Sequence, residues 1–172
     1  ANQTYFALND GPFNIERYYD VPDFNFDQNA DLVWHNSNGQ VAAWHLDGTN
    51  FLGASLLRDG ISVPAHWRLA AIADFNHDAQ ADLLWHHLDG RLTVWFMNGT
   101  EFIAAQPLRE GKPLGAGWRI VSATDMDGDL QPDILMHRNN GKLAVWKMNG
   151  TELVQAIELR GGLTVPLHWK AL

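Results

Sequence analysis

The chain has 172 residues and a formal net charge of −8, with 12 basic against 20 acidic side chains. This acidic balance opposes binding to nucleic acid or to anionic lipid, because both require a basic surface. With 46% apolar residues the chain can bury a core, but no apolar run is long enough to suggest insertion into a membrane. Cysteine is absent, which excludes disulfides, thiolate metal sites and thiol nucleophiles.

The tryptophans reveal an internal repeat of 51 residues. All eight fall into three series with this spacing: Trp34 and Trp85; Trp44, Trp95 and Trp146; Trp67, Trp118 and Trp169. Met136 takes the vacant place in the first series. Residues 67–117 and 118–168 align without a gap and are identical at 21 of 51 positions. We therefore interpret 1–172 as a single domain with repeat units at 16–66, 67–117 and 118–168.

The second unit shows the predicted elements most clearly. Apolar segments at 68–75, 81–87, 92–97 and 101–108 are separated by an Asp-rich loop, a Leu-Asp-Gly turn and an Asn98-Gly99 hairpin signal. A loop rich in glycine and proline leads to the next unit. No stretch shows a sustained helical period, so we predict an all-β fold. Four strands in a repeat of this length are more typical of a β-propeller blade than of a sandwich.

The hairpin dipeptide lies within Asn-Gly-Thr, which also matches the N-glycosylation pattern. Asp47-Gly48-Thr49 fills the same place in the first unit and is not a glycosylation acceptor. This favours the turn interpretation, in which Asn-Gly supplies the positive φ of a two-residue hairpin.

Each unit contains one acidic loop with side-chain oxygens at loop positions 1, 3, 5 and 9, while position 7 would add a backbone carbonyl. Calcium prefers about six to eight oxygen ligands, and a tight loop presents alternate side chains inward. The loops are not EF-hands, because position 12 holds Trp or Met instead of Glu. Positions 1, 3, 5, 7 and 9 are Asp23, Asn25, Asp27, Asn29 and Asp31; Asp74, Asn76, Asp78, Gln80 and Asp82; Asp125, Asp127, Asp129, Gln131 and Asp133.

Charge also favours a metal in these loops, which contain ten of the twenty acidic residues. Carboxylates packed within about 5 Å of one another raise each other's pKa and cost stability unless a cation is present. Three divalent ions would bring the formal charge from −8 to −2. The alternative is a set of ion-free Asx turns, in which the side chains cap backbone N–H groups.

Taken together, these motifs resemble the FG-GAP/VCBS repeat. The resemblance rests on Asp-x-Asn/Asp-x-Asp-x-x-x-Asp, an apolar segment with Trp, and Gly-x-Val/Leu-x-x-Trp-x-Met-Asn-Gly-Thr, and it covers about 150 residues in all three units. That repeat builds the calcium-bearing propellers of integrin α heads, certain fungal lectins and many secreted bacterial proteins. The resemblance implies loops between the first two strands of each blade, calcium ligands at positions 1, 3, 5 and 9, and a secreted, periplasmic or cell-surface location.

One feature departs from that family, which usually has Gly at loop position 6. Here the position holds Gln28, Ala79 or Leu130. A non-glycine residue with positive φ costs about 1 kcal/mol or more. Either the backbone turns differently, or calcium affinity has decayed in some loops. The loop 125–133 has four aspartates and Gly128, so we expect it to be the strongest of up to three Ca²⁺ sites.

The tryptophan series have two interpretations, as core between blades or as platforms for sugar rings. We expect the mid-strand series to be core: Trp44, Trp95 and Trp146. The series that opens the units beside the loops is a candidate for either role: Trp67, Trp118 and Trp169.

His35, His86 and His137 also recur every 51 residues, each directly after the Trp/Met position and so on the opposite face of its strand. A polar hydrogen bond between blades is the first interpretation, and a glycan contact is the second. A zinc site is the third, although repetition would separate the three side chains in space.

The termini predict an incomplete ring. Residues 1–15 resemble the last strand of a preceding blade, since Asn9-Asp10-Gly11 parallels Arg58-Asp59-Gly60, and residues 169–172 resemble the start of a following one. Closed propellers need about four to eight blades. We expect another chain, either a second copy or a different subunit, to complete the ring, unless the chain is a piece of a longer propeller. The opening Ala-Asn-Gln is consistent with a processed secreted protein.

The sequence argues against an enzyme, because it contains no Gly-x-Ser-x-Gly, no His-Glu-x-x-His and no phosphate loop. Its acidic groups come in three copies, whereas catalytic sites are usually single. Two functions remain. The first is a non-catalytic, calcium-binding module for protein assembly or adhesion. The second is a calcium-dependent lectin with repeated sites between blades.

Overall fold

The computed structural model describes residues 22–166 and Trp169, and that part of the chain contains eleven β-strands. They are β1 (Leu32–His35), β2 (Val41–Asp47), β3 (Asn50–Leu56), β4 (Trp67–Ala73), β5 (Asp82–His87), β6 (Leu92–Asn98), β7 (Glu101–Pro107), β8 (Trp118–Thr124), β9 (Asp133–Arg138), β10 (Leu143–Asn149) and β11 (Glu152–Glu158). Three short 3-10 segments, which we call exit turns, follow β3, β7 and β11 at Leu57–Gly60, Leu108–Gly111 and Leu159–Gly162. Within these described ranges no helix has the length and apolarity to cross a membrane.

The strands form three antiparallel sheets, one in each repeat unit, with consecutive strands as neighbours. Sheet 1 is β1-β2-β3, sheet 2 is β4-β5-β6-β7 and sheet 3 is β8-β9-β10-β11. The all-β class and the four strand segments of the second unit are confirmed, with ends that differ by at most two residues. The strand expected at the start of unit 16–66 and the partial units 1–15 and 169–172 lie outside the described residues, apart from Trp169.

The last two strands of each sheet form a hairpin with a two-residue turn. Asn98 pairs with Glu101, so the turn residues are Gly99 and Thr100, and the predicted Asn-Gly turn is wrong by one residue. Gly99 has a φ of 56° whereas Thr100 is not left-handed, which is the type II′ pattern with glycine first. The hairpins of the other units repeat it.

The exit turns replace the simple loop that the sequence predicts. In the first of them Arg58 and Asp59 are both left-handed, with φ of 53°. Each such residue costs about 1 kcal/mol or more, so surrounding contacts must hold the turn. One contact reaches the next unit, because the N–H of Arg58 donates to the carbonyl oxygen of Thr100 at 3.1 Å.

The hydrophobic cores lie between the sheets. The core between sheets 1 and 2 includes Phe24, Val41 and Leu57 from the first unit and Leu83, Trp85 and Met97 from the second. The core between sheets 2 and 3 uses the positions 51 residues later: Phe75, Leu92 and Leu108 against Ile134, Met136 and Met148. Each large side chain buried in this way contributes roughly 1.5–3 kcal/mol. Each unit is therefore stabilised mainly by its neighbours.

The mid-strand tryptophans differ in burial along the chain. Trp146 is buried and Trp95 is half-buried, but Trp44 is 40% exposed, so the core prediction is wrong for Trp44. The guanidinium carbon of Arg58 lies 4.3 Å from the ring centre of Trp95, and that of Arg109 lies 4.8 Å from Trp146. The equivalent cover for Trp44 would come from the unit before, which falls outside the described residues.

Candidate metal-binding loops

The acidic loops occupy the same place in each unit. Loop 1 (23–31) leads into β1, loop 2 (74–82) joins β4 to β5, and loop 3 (125–133) joins β8 to β9. Loops 2 and 3 therefore connect the first two strands of their sheets, as the family resemblance implies.

The aspartate at position 1 organises the backbone of each loop. Asp23 accepts hydrogen bonds from the N–H groups of Phe26 at 2.7 Å and Gln28 at 2.8 Å. Asp74 and Asp125 repeat the pattern with the N–H groups of Ala79, Gly128 and Leu130. These are the contacts of the Asx-turn alternative. A carboxylate offers about four lone-pair sites, so these bonds leave acceptor capacity for a cation.

The middle positions bring further oxygens into the same loops. At positions 3 and 5, the amide nitrogen of Asn25 donates to Asp27 at 2.9 Å, and that of Asn76 donates to Asp78 at 2.8 Å. At position 5, the carboxylates accept from the N–H of position 7: Asp27 from Asn29, Asp78 from Gln80 and Asp129 from Gln131. The side chain of Gln131 accepts from the N–H of Gly150, while the side-chain oxygen of Gln80 is buried without a partner.

The buried aspartate at position 9 ties each loop to its sheet. Asp82 accepts from the N–H of Phe75 in the loop and from the N–H of Met97 in β6, both at 2.9 Å. Met97 follows the last pairs of the β5–β6 ladder, so the carboxylate takes an N–H that has no strand partner there. Asp133 repeats this arrangement with Met126 and Met148, and Asp31 with Phe24 and Leu46.

Loop position 6 is left-handed in all three units in spite of its side chains. Gln28, Ala79 and Leu130 have φ of 68°, 65° and 71°. Position 4 is left-handed as well, where loop 3 has Gly128 and the other loops have Phe26 and His77. The backbone therefore turns at the position that the resemblance indicates, and loop 3 has one strained residue where loops 1 and 2 have two.

The strand that leads into the hairpin of each sheet, β2, β6 or β10, presents a different residue to each loop. In loop 3, Lys147 places its ammonium nitrogen 2.6 Å from the carboxylate of Asp127. In loop 1, the equivalent His45 contacts Asp31 at 3.0 Å. In loop 2 the equivalent residue is Phe96, which brings no charge.

The pKa values follow from these neighbours. Burial raises the pKa of Asp82 to about 7, and repulsion from Asp78 and Asp74 adds to the effect. Burial also raises the pKa of Asp133. In contrast, the hydrogen bond from Lys147 lowers the pKa of Asp127, and the same contact raises the pKa of Lys147.

Loop 3 best fits a cation. Asp125, Asp127 and Asp133 each present a carboxylate oxygen, and the three oxygens lie within 4.8 Å of one another. Among the described residues, this is the one group of three or more acidic or histidine side chains that lie close enough together to bind a single ion. Loops 1 and 2 have Asn at position 3, so they supply an amide oxygen in place of one carboxylate. Carboxylate and amide oxygens suit a hard cation such as Ca²⁺. The ammonium group of Lys147 lies beside Asp127, so it already places one positive charge next to this carboxylate.

The histidine series does not converge. His86 and His137 are buried, and each accepts a hydrogen bond at Nδ1 from an arginine of its own sheet, Arg68 at 2.9 Å and Arg119 at 3.0 Å. The hydrogen bond predicted between units is thus formed within a unit. Burial, followed by the charge of Arg68, lowers the pKa of His86 to about 4. His35 is exposed and lies edge-on to Trp85 of the next unit, at 5.4 Å between ring centres.

The tryptophans that open the units lie at the edges of the cores. Trp67 and Trp118 are half-buried and pack against the two cores, whereas Trp169 is 64% exposed. Trp67 and Trp95 line a cavity of about 290 Å³ together with Arg91 and Thr93.

Comparison with known families gives one match. Residues 74–136 match the FG-GAP-like repeat family. This segment is similar to an FG-GAP-like repeat. It runs from Asp74, at the start of loop 2, to Met136 in β9, so it includes loops 2 and 3, each of which joins the first two strands of its sheet. No curated protein matches the chain significantly.

Sequence reasoning missed the residues that reach the loops from the neighbouring strand. His45, Phe96 and Lys147 occupy one repeat position, and its variable character gave no periodic signal. Lys147 lies two residues before Asn149, the residue that precedes the hairpin glycine. A basic residue at that position could have indicated the contact, because the position faces the loop across the sheet. Of these three residues, Lys147 is the one whose flexible, cationic side chain contacts a loop aspartate.

Proposed function

We propose that the chain is a non-catalytic, calcium-binding FG-GAP-type repeat module that mediates protein assembly or adhesion outside the cell. The observation that carries this proposal is the carboxylate group of loop 3, Asp125, Asp127 and Asp133, within an FG-GAP-like repeat. FG-GAP repeats are typical of extracellular, non-enzymatic proteins, and extracellular calcium modules bind with dissociation constants of about 10⁻⁴–10⁻³ M.

In this proposal Asp125, Asp127, Asp129 and Asp133 hold the ion of loop 3, and the loop oxygens of the other two units hold weaker sites. The bound ion would neutralise carboxylates that otherwise repel one another. Folding and calcium binding are therefore linked, since the ion binds the folded loop and not the unfolded chain.

The sheets are proposed to be blades of a propeller. Successive sheets pack through cores that use equivalent positions, which is how repeated blades stack around an axis. Trp34 and Met126 are 42% and 46% exposed on the outer faces of sheets 1 and 3, whereas the equivalent residues Trp85 and Phe75 are buried between sheets. These exposed apolar side chains support an assembly role.

The test is a calcium titration of the full chain by calorimetry, with thermal unfolding in calcium and in EGTA. Asp127→Asn should weaken the tightest site about tenfold and reduce the gain in melting temperature. Asp89→Asn is the matched control, because it removes one carboxylate at a turn of the opposite end of sheet 2, outside the loops. Heat of binding that is absent, or a melting curve that EGTA leaves unchanged, would overturn the proposal.

A second candidate function is glycan binding, and the cavity beside Trp67 favours it. Two tryptophans, Arg91 and Thr93 combine an apolar platform with hydrogen-bond donors, as sugar sites require. A glycan array in calcium buffer, with a Trp67→Ala variant alongside, tests it. Selective binding that the variant loses would place lectin activity ahead of assembly.

A further inference from the structure

The two internal interfaces are built from the same reciprocal parts. We call the surface of a unit that contains its exit turn the trailing face, and the surface that contains the aromatic residues of its last two strands the leading face. The trailing face of each unit packs against the leading face of the next unit. Arg58 stacks over Trp95 at 4.3 Å and over Phe102 at 4.9 Å, and Arg109 repeats the contact with Trp146 at 4.8 Å. The leucine before each of these arginines is buried, Leu57 in one interface and Leu108 in the other.

A second contact accompanies each stack. Phe24 and Phe75, at loop position 2, are fully buried against the hairpin glycine of the next unit. A Cβ added to Gly99 would come within 2.9 Å of the Phe24 carbonyl oxygen, and one added to Gly150 within 3.1 Å of the Phe75 carbonyl oxygen. The trailing face of one unit thus contacts both the outer strands and the hairpin turn of the next unit.

The leading face of sheet 1 presents these same receiving groups to solvent. Trp44 and Phe51 correspond to Trp95 and Phe102, and they are 40% and 58% exposed. Trp34 is 42% exposed, whereas its equivalent Trp85 is completely buried. A Cβ added to the hairpin glycine of this unit, Gly48, would meet nothing within 4 Å.

The trailing face of sheet 3 presents the matching donor groups. Arg160 has the left-handed backbone of its equivalents, with φ of 55°, and its guanidinium donates to the Thr164 carbonyl as that of Arg109 does to Pro113. No aromatic ring of the described residues covers it. Met126, at the position of the buried Phe24 and Phe75, is 46% exposed.

We propose that the trailing face of one copy docks on the leading face of a second copy, with Arg160 stacked over Trp44 and Phe51 and with Met126 against the Gly48 hairpin. This inference rests on the proposed assembly function and names its partner. The contact continues the two interfaces inside the chain with the same residue types at the same repeat positions. The two faces differ, so the contact is head-to-tail, and its repetition gives a closed ring or an open filament.

The alternative occupant of the leading face is the N-terminal segment of the same chain. Alignment of its Asn9-Asp10-Gly11 with Arg58-Asp59-Gly60 places Asn9 at the arginine position. Asparagine has no positive charge and cannot form the cation–π contact that both internal interfaces contain. This difference favours the exit turn of a second copy.

Analytical ultracentrifugation of the full chain in calcium buffer tests the proposal. We expect wild-type protein to form species of at least twice the 19.3 kDa protomer mass. Arg160→Ala and Trp44→Ala should each raise the dissociation constant on the order of tenfold or more. Mixing these two variants should restore a dimer with one intact contact, because each supplies the half that the other lacks.

Leu88→Ala is the control variant, since Leu88 is an exposed apolar residue in the turn between β5 and β6 and lies on neither end face. Circular dichroism and the calcium melting shift verify that every variant is folded. Wild type that stays monomeric up to millimolar concentration overturns the proposal, and so does association that both variants leave unchanged. Association that appears only after residues 1–21 are deleted assigns the face to that segment instead. Calcium binding that persists in a monomer leaves the proposed function standing without this inference.

Discussion

Loops 2 and 3 follow the same backbone path and differ in how their negative charge is compensated. In loop 3 the ammonium of Lys147 lies 2.6 Å from Asp127, whereas Phe96 occupies the equivalent place beside loop 2. In loop 2 burial raises the pKa of Asp82 to about 7, and no basic side chain of the adjacent strand offsets the negative charge. The comparison teaches that the charge balance of an acidic loop depends on the adjacent strand as well as on the number of aspartates.

The largest effect should come from removing the position 9 carboxylate, which both loops use alike. Asp82→Ala and Asp133→Ala each leave two N–H groups without their acceptor. Each unsatisfied buried group costs about 1–3 kcal/mol, so each variant should lose about 2–6 kcal/mol of unfolding free energy. Urea unfolding measures this loss. A much smaller loss in one variant would show that the two anchors are not equivalent.

The next largest effect should be on the pH dependence of stability, which we expect to reveal the charge of loop 2. In EGTA the folded pKa of Asp82, about 7, exceeds the ordinary value of 3.8. The folded state therefore binds the proton more tightly, and Asp82 makes stability fall by a few kcal/mol as the pH rises from about 4 to about 7. Phe96→Lys should flatten this fall, because an ammonium beside loop 2 stabilises the ionised carboxylate.

His86 acts in the opposite direction over the same pH range and must be separated from Asp82. Its folded pKa of about 4 lies below the ordinary 6.5, so its contribution is complete above pH 6.5 and is lost as the pH falls toward 4. A His86→Gln background therefore exposes the Asp82 effect. Unfolding free energies across this range that are identical in the His86→Gln and wild-type proteins would contradict the buried, neutral state of His86.

The proposed competition between Lys147 and calcium for Asp127 should give a smaller effect. Lys147→Met removes the ammonium beside Asp127, so calcium affinity at loop 3 should rise about tenfold while stability in EGTA falls. Calorimetric titration of the variant measures the change. Unchanged affinity would mean that the ammonium and the ion do not share Asp127.

The smallest effect concerns the strained backbone. Ala79→Gly and Leu130→Gly should each stabilise the protein by about 0.5–1 kcal/mol, since φ is 65° and 71° at these positions. Gly128→Ala, where φ is 86°, should destabilise loop 3 by a similar amount. Thermal unfolding in EGTA measures all three variants without interference from the ion. A loss of stability in either glycine variant would show that the side chain at position 6 contributes packing that outweighs the strain.

The repeat made most of the fold predictable. Alternating segments such as 92–97 gave the strands, and the apolar segments 68–75 and 81–87 gave loop 2 its place between the first two strands. The hairpin turn was predicted one residue early, because Asn-Gly is favoured in two types of hairpin turn and only strand pairing fixes the register. The exit turns were missed, since two consecutive left-handed residues such as Arg58 and Asp59 have no local sequence signal.

The acidic loops were predictable in their place in the fold but less so in their electrostatics. The Asp and Asn pattern identified the loops, whereas the contact between Lys147 and Asp127 depends on how β10 passes beside loop 3. Burial of Trp44 was overpredicted because equivalent sequence positions need not have equivalent neighbours at the end of a series. The sequence period predicts the strands and loops of each unit. The burial of a side chain such as Trp44 also depends on whether another unit packs against its own.

The division of each interface between two consecutive units has a consequence for how such a chain changes its length. Every 51-residue segment carries an arginine exit turn for the unit after it and a tryptophan face for the unit before it. Duplication of one segment in a gene therefore inserts both halves of a working contact at once. Loss of one segment likewise rejoins compatible faces. Families of such proteins can vary their number of units without inventing a new interface.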